Sequence, residues 1–255
     1  MATPADDDFY VGYLGQAPSD LGRFVRRVAA SLVIGGVGVA VVVALGQRQL
    51  EPATFEFGHT REFRGTVELT PYPSLRVSLP GTSGPGGGVT RLMLVSQGKH
   101  GAGPELAQHA HHSVQLEGTL MYRDGNTMLE LVPHAVHADG SEPIPPAQPE
   151  RLGAVTLKGE IVDAKCHLGA MIPGTGTVHR ACAVRCLSGG IPPMLSVIDS
   201  AGFRANVWLT GPGGTPVVES FLSLVAEPVE MSGQLMVFDD QLVLEVDPAT
   251  VTWIH

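Results

Sequence analysis

From about residue 55 onward the chain runs through one pattern twice, and that duplication limits its fold more than any other feature. The clearest pair is G-T-L-M-Y-R-D-G-N-T-M-L-E-L, from Gly118 to Leu131, and G-Q-L-M-V-F-D-D-Q-L-V-L-E-V, from Gly233 to Val246. In each, apolar residues alternate, a tight turn falls at Asp124-Gly125-Asn126 or Asp239-Asp240, and the alternation resumes, as in a hairpin. Phe63-Arg64-Gly65-Thr66-Val67 likewise matches Leu157-Lys158-Gly159-Glu160-Ile161, and the run Leu92 to Gly101 resembles Asn206 to Gly214. Each copy offers four or five short strands with close turns and little helix. Glycine (32 residues) and proline (20) are frequent enough to supply the turns. We expect an all-β fold of two tandem small barrels, OB-like or related, because closure removes raw sheet edges. Their bounds are 55–140 and 151–255, with the proline-rich S-E-P-I-P-P-A-Q-P between them, in 141–150, as a stiff linker.

Ahead of the repeat lies a second constraint. Val28 to Leu45 carries no charge, and as a helix it would span about 27 Å, close to the apolar thickness of a bilayer. Arg23, Arg26 and Arg27 precede it and only Arg48 follows closely, so the positive-inside rule places the N-terminus in the cytoplasm. We expect a single-pass helix at 28–46 in contact with the lipid bilayer, a cytoplasmic tail at 1–27, and both barrels on the periplasmic side of the cytoplasmic membrane. A cleaved signal peptide is the competing reading, weakened by the long charged leader and the want of a convincing cleavage site. The formal net charge of -9 argues against a nucleic-acid partner.

The two copies differ at one place. The first passes from Gly65-Thr66-Val67 through Pro71-Tyr72-Pro73 into its next strand. The second inserts a segment, Cys166 to Pro193, that holds all three cysteines of the chain. A short helix is expected from Val178 to Leu187, with Thr177 as N-cap and Gly189-Gly190 as its stop. On it His179, Cys182 and Cys186 fall at i, i+3 and i+7, on one face. The P-G-T-G-T turn before it can fold Cys166 and His167 back over that face. The candidate metal ligands are Cys166, His179, Cys182 and Cys186, with His167 or a methionine (Met171, Met194) as the variable one. Lys165, Arg180 and Arg185 are expected around the thiols and would favour thiolates.

Three thiolates and an imidazole suit zinc in a closed site, and the same soft donors suit copper. An iron–sulfur cluster fits less well, since the usual short cysteine spacings are missing. Other outcomes are a disulfide, plain buried cysteines, or a catalytic thiol, although no catalytic set is recognisable and Asp163 is the only carboxylate nearby. A second cluster, Lys99-His100 with His109, His111 and His112, lies between strands of the first copy and reads more readily as solvated histidines. The first barrel is then a spacer or docking module. Two functional classes follow: a metal-binding redox or copper-handling protein, or a non-catalytic subunit of a membrane complex in which the cysteine motif is a staple.

The segment Gly159 to Pro193 resembles a family of uncharacterised bacterial membrane-anchored proteins that share the pattern C-x-L-G-x-M…H-R-x-C-A-x-x-C…G-G-I-P-P. The leader Phe9 to Tyr13, F-Y-V-G-Y, matches the same family. The resemblance implies that anchor and both barrels belong together, and it implies no activity. Cys182-x-x-x-Cys186 is also similar to the C-x-x-x-C of Sco copper proteins and of the binuclear copper site of oxidase subunit II, in ligand chemistry alone.

Overall fold

In the computed structural model the described residues are 18–47, 53–79, 88–198 and 204–254. They divide into two compact units, residues 1–51 and 52–255. The F-Y-V-G-Y leader lies outside the described residues.

The first unit is one helix, α1 (Ser19–Gln47). It begins nine residues before the charge-free run, because Asp20, Leu21, Arg23, Arg26 and Arg27 are all tolerated in a helix and Asp20 favours its positive end. Gly22 N donates to Pro18 O at 2.8 Å, which sets the first turn. Apolar side chains surround the helix on all sides, so it has no polar face of its own. Among the described residues it is the one helix long and apolar enough to cross a membrane.

The second unit holds both barrels. Strands β1 (Thr54–Phe55), β2 (Arg61–Glu68), β3 (Ser74–Ser78), β4 (Val89–Val95), β5 (Ser113–Arg123) and β6 (Asn126–Ala138) form the first sheet, with a short helix α2 (Gly103–Leu106) before β5. Its order is β1-β5-β2-β3-β4-β6, and β5 also pairs with β6, so five strands close and β1 rides on β5. The second copy uses β7 (Glu150–Asp163), β8 (Pro193–Ile198), β9 (Arg204–Thr210), β10 (Pro228–Phe238), β11 (Gln241–Val246) and β12 (Thr252–Trp253), with helices α3 (Arg180–Ser188) and α4 (Val218–Phe221). Its order, β11-β9-β8-β7-β10-β12 with β10–β11 closure, repeats the first. In both barrels the third strand runs parallel to the fifth while the other ring pairs are antiparallel. The strands are not uniformly short: β7 has 14 residues and β6 has 13, long enough to wrap the barrel.

The matched glycines explain part of the repeat. A Cβ on Gly65 would lie 2.2 Å from Arg76 O, and one on Gly159 would lie 2.4 Å from Ser196 O. Both positions let a strongly curved first strand press on its neighbour, which a side chain would prevent.

Each barrel has its own apolar core, and a third cluster lies between them. The shared cluster joins Tyr72, Met93, Met121 and Met128 of the first barrel to Val162, Leu168, Met194, Trp208 and Val243 of the second. Polar bonds cross beside it. Tyr72 Oη donates to Leu209 O at 2.6 Å. Asp239 accepts from Arg76 and Arg91, all three side chains at most 4% exposed. The proline-rich segment is tied down too, with Ile144 N donating to Thr66 Oγ1 at 2.8 Å and Pro145 O accepting from Arg76.

Candidate metal centre

The cysteine segment leaves the end of β7 and returns at β8, and its two ends are fixed by backbone. Asp163, the last residue of β7, is fully buried, and its Oδ1 accepts from Cys166 N at 2.9 Å. Cys166 to Ala170 form one wide helical turn that bends back at Gly169, at φ +152. A Cβ on Gly169 would meet the carbonyl of Thr54 at 2.7 Å, so β1 of the first barrel presses directly on this turn. The Pro173-Gly174 turn then closes over Cys166, and Glu160 Oε1 holds it by accepting from Gly176 N at 2.6 Å. Burial pushes the Glu160 carboxyl up.

Helix α3 starts at Arg180, two residues later than expected, with His179 in the N-cap position and Thr177 making no cap bond. The preceding residues turn instead, His179 N donating to Gly176 O at 2.8 Å. His179 still faces the cluster: its Nε2 donates to Asp163 Oδ2 at 3.0 Å, and both side chains are buried. That bond engages Nε2, so Nδ1 is the ring nitrogen open to another partner.

The three sulfurs are free and close. Cys166 Sγ lies 3.9 Å from Cys182 Sγ and 3.8 Å from Cys186 Sγ. Two triads close to within 4.8 Å and share Cys166: one with His179 and Cys182, one with Asp163 and Cys186. An ion with metal–sulfur bonds of about 2.3 Å spaces its sulfurs about 3.8 Å apart when tetrahedral and about 4.0 Å when trigonal. The two Cys166 separations match coordination edges and are far too long for a disulfide, while Cys182 and Cys186 fall in different triads, more than 4.8 Å apart, so one ion binding all three would draw these two together. The arrangement could hold a metal ion; its donor set does not fix which one.

The electrostatics divide the thiols. The hydrogen bond from Cys166 draws the Cys186 thiol down to about 7, against burial, with help from Lys99. Cys166 is pushed up by that same bond, by burial and by the charge of Asp163. Of the two bonded thiols, Cys186 is thus the one that ionises more readily and Cys166 the one that keeps its proton.

His167 is not brought to the cluster. Its Nε2 bonds Asn206 Oδ1 at 2.8 Å and its Nδ1 accepts from Arg123 at 3.1 Å, so both ring nitrogens are engaged elsewhere. Burial holds its imidazole down to about 4, hence neutral. Met171 is exposed, while Met194 is buried in the shared cluster beside Cys166 and Cys186.

The cation at the thiols also differs from expectation. Lys165 turns into the first barrel, bonding Ser96 O at 2.9 Å, Gly98 O at 2.6 Å and the Glu130 carboxylate. Arg180 pairs with Glu227. Lys99, from the loop after β4 of the first barrel, places its Nζ 2.7 Å from Cys182 Sγ and 3.6 Å from Cys186 Sγ. Its hydrogen bond to Cys182 raises the ammonium pKa. The first barrel is therefore part of the site and more than a spacer. In the sequence Lys99 stands out only beside the histidine cluster, and Asp163 only as a nearby carboxylate. The D-A-K-C spacing, with an acid three residues before a cysteine at a strand end, is the signal for Asp163.

The histidine cluster forms no ligand group among the described residues. His109 ends a short turn, His112 Nδ1 bonds Ala110 O at 2.8 Å, and His111 stands 3.4 Å from Glu68, a carboxylate absent from the sequence expectation.

Compared with protein-family models, curated proteins and solved structures, the chain matches none. What the site does is read from its chemistry.

Proposed function

We propose that the chain is a membrane-anchored, extracytoplasmic metal-binding protein in which Cys166, Cys182, Cys186 and His179 hold one copper or zinc ion. Asp163 orients His179, and Lys99 balances thiolate charge. The observation that supports this reading is the convergence of three free thiols and a buried imidazole, with Cys166 Sγ 3.8 and 3.9 Å from the other two sulfurs, the edge lengths a metal–thiolate site would have. Zinc would make the site a structural lock between the barrels. Copper would make it a redox or copper-handling centre, with the protein an accessory subunit of a membrane complex. The family resemblance of the cysteine segment belongs to the same proposal: bacterial membrane-anchored proteins, with the barrels on the periplasmic side of the cytoplasmic membrane.

Metal analysis of the full chain, extracted in detergent and purified without reducing agent or affinity-tag metal, tests it. The expected result is one equivalent of zinc or copper, lost in Cys166→Ser and Cys182→Ser and kept in His109→Ala. No metal, together with a cysteine–cysteine disulfide by mass spectrometry, would overturn it in favour of thiol chemistry. For the anchor, reporter fusions after Leu14 and after Leu50 are expected on opposite sides of the membrane; the same side for both would sink that part.

A further inference from the structure

The mouth of the cluster is positively charged although the chain is acidic overall. Cys166 and Cys186 are at most 4% exposed, and Cys182 is the thiol that reaches solvent. Beside it opens a cleft of about 600 Å³ lined by Lys99, His100, Arg185, Ser188 and Gly189. Helix α3 and its C-cap supply one wall through Arg185, Ser188 and Gly189, and Cys182 stands on the Arg185 stripe one turn earlier, at i and i+3. The other wall is the Lys99 loop. It is held by Lys165 through two carbonyls and by Gly101 N donating to Gly189 O at 2.9 Å.

Charge pairing at this mouth differs from that of the buried and paired cations. Arg76, Arg91, Lys158, Lys165 and Arg180 each have a carboxylate partner. Lys99 has sulfur partners instead, and Arg185, exposed at the rim, has no ion pair among the described residues. Arg185 is thus a cation without a counter-charge on the lining of the cleft, next to the Lys99 ammonium that sits at the accessible thiol, and this favours an arriving anion; the cleft has the size of a small-ligand site.

Resting on the metal-centre reading, we infer that this cleft is the delivery face of the site, and that it takes the ion from a small anionic chelate bearing carboxylates. Lys99 and Arg185 attract the chelate. The Lys99 ammonium, at the end of a flexible stem between Cys182 and Cys186, swings aside. Cys182 takes the ion first, and Cys166, Cys186 and His179 complete the exchange. The ion keeps its charge, the chelate leaves with its own electron pairs, and each thiol that becomes a ligand releases its proton to water. No electron is transferred.

The test uses the full chain in uncharged detergent and two coloured copper(I) chelates of opposite charge, the anionic bicinchoninate and the cationic neocuproine complex. Transfer is followed by loss of each chelate's colour at low and high salt. The expected result is faster transfer from the anionic chelate, slowed about tenfold or more by Arg185→Glu at low salt, with the difference fading at high salt. Arg151→Glu, the same charge change at the other end of β7, should leave the rate alone. The copper finally held per chain separates slow delivery from a lost site. Full copper loading with a rate indifferent to Arg185→Glu overturns the delivery face and leaves the metal centre standing. No copper taken from either chelate, with no metal in the purified chain, overturns both.

Discussion

Asn126 and Gln241 hold the same position in the two halves of the repeat, and they bond to each other, Asn126 Nδ2 donating to Gln241 Oε1 at 2.8 Å. Each is the first residue after a two-residue hairpin turn, paired with Arg123 or Phe238 across it. A residue that meets its own counterpart marks a twofold relation, here within one chain. Other counterparts agree: Met93 and Trp208 pair with Met128 and Val243 in the two barrels, and all four enter the shared cluster. The consequence is reciprocal exchange. The first barrel's hairpin sends Arg123 to His167, and the second barrel's sends Asp239 to Arg76 and Arg91. The loop after β4 brings Lys99 to the thiols, while the matching loop after β9 places Gly214 against Thr70.

Asp239 is the test of that exchange. Its carboxylate accepts from Arg76 at 2.8 and 2.9 Å and from Arg91 at 2.9 and 3.1 Å. Asp239→Ala leaves two buried guanidinium groups with only Glu68, 4.0 Å from Arg76, as a nearby anion. The expected loss is about 3–5 kcal/mol of unfolding free energy in denaturant titration. Lys158→Ala, which breaks an exposed pair with Glu230 at 3.0 Å, should cost under about 1 kcal/mol. Equal effects would mean that the barrels do not depend on the clamp.

The barrels themselves were legible because period-2 alternation and matched glycines are local signals: Gly118 and Gly233 fall at equivalent points, opposite Leu131 and Val246. Their docking was not legible. Nothing in a strand's own pattern says that Met93 and Trp208 face each other's barrel, so Lys99 was placed in a separate histidine cluster. Short-range spacing places the thiols and His179 together, and the structure does bring them within reach of one another. His167 adjoins Cys166 in sequence but turns to Asn206 and Arg123, because successive residues in a helical turn point in different directions. The start of α1 was missed because charge, not helix propensity, marked the apolar run.

Gly189 permits the contact that carries Lys99 to the thiols. A Cβ there would lie 1.8 Å from Lys99 O, although the backbone angles of Gly189, φ -83 and ψ 0, suit any residue. Gly189→Ala should therefore lift the loop and cost about 1–3 kcal/mol. Faster tryptic cleavage after Lys99 is expected with it. Gly103→Ala, whose nearest neighbour is Pro73 Cγ at 3.9 Å, serves as the tolerant control. Unchanged cleavage in Gly189→Ala would show that the loop is not held there.

Asp163 has no room to be incidental, since it binds both His179 and the Cys166 amide from a fully buried position. Asp163→Asn keeps its size and one acceptor while removing the charge that orients the imidazole. Metal affinity, measured by competition with a coloured chelator, should fall about 10–100-fold, with one ion per chain still bound at saturation. An unchanged affinity would remove Asp163 from the site and leave the thiols alone to account for binding.

His167 and His179 provide the sharpest contrast, because both lie in the cysteine segment and only one faces the sulfurs. Removing the His167 ring takes the donor from Asn206 Oδ1 in a dry site, at a cost of about 1–3 kcal/mol in stability. It touches no sulfur, so His167→Ala should keep its metal and its affinity while unfolding at lower denaturant. His179→Ala should do the reverse in affinity: its imidazole is tied to Asp163 and belongs to the triad with Cys166 and Cys182, so binding should weaken sharply. Paired metal analysis and denaturant titration of the two variants read both effects at once. Loss of metal in His167→Ala at conditions where that variant is still folded would return His167 to the ligand set and require its ring to leave Asn206 when the ion binds.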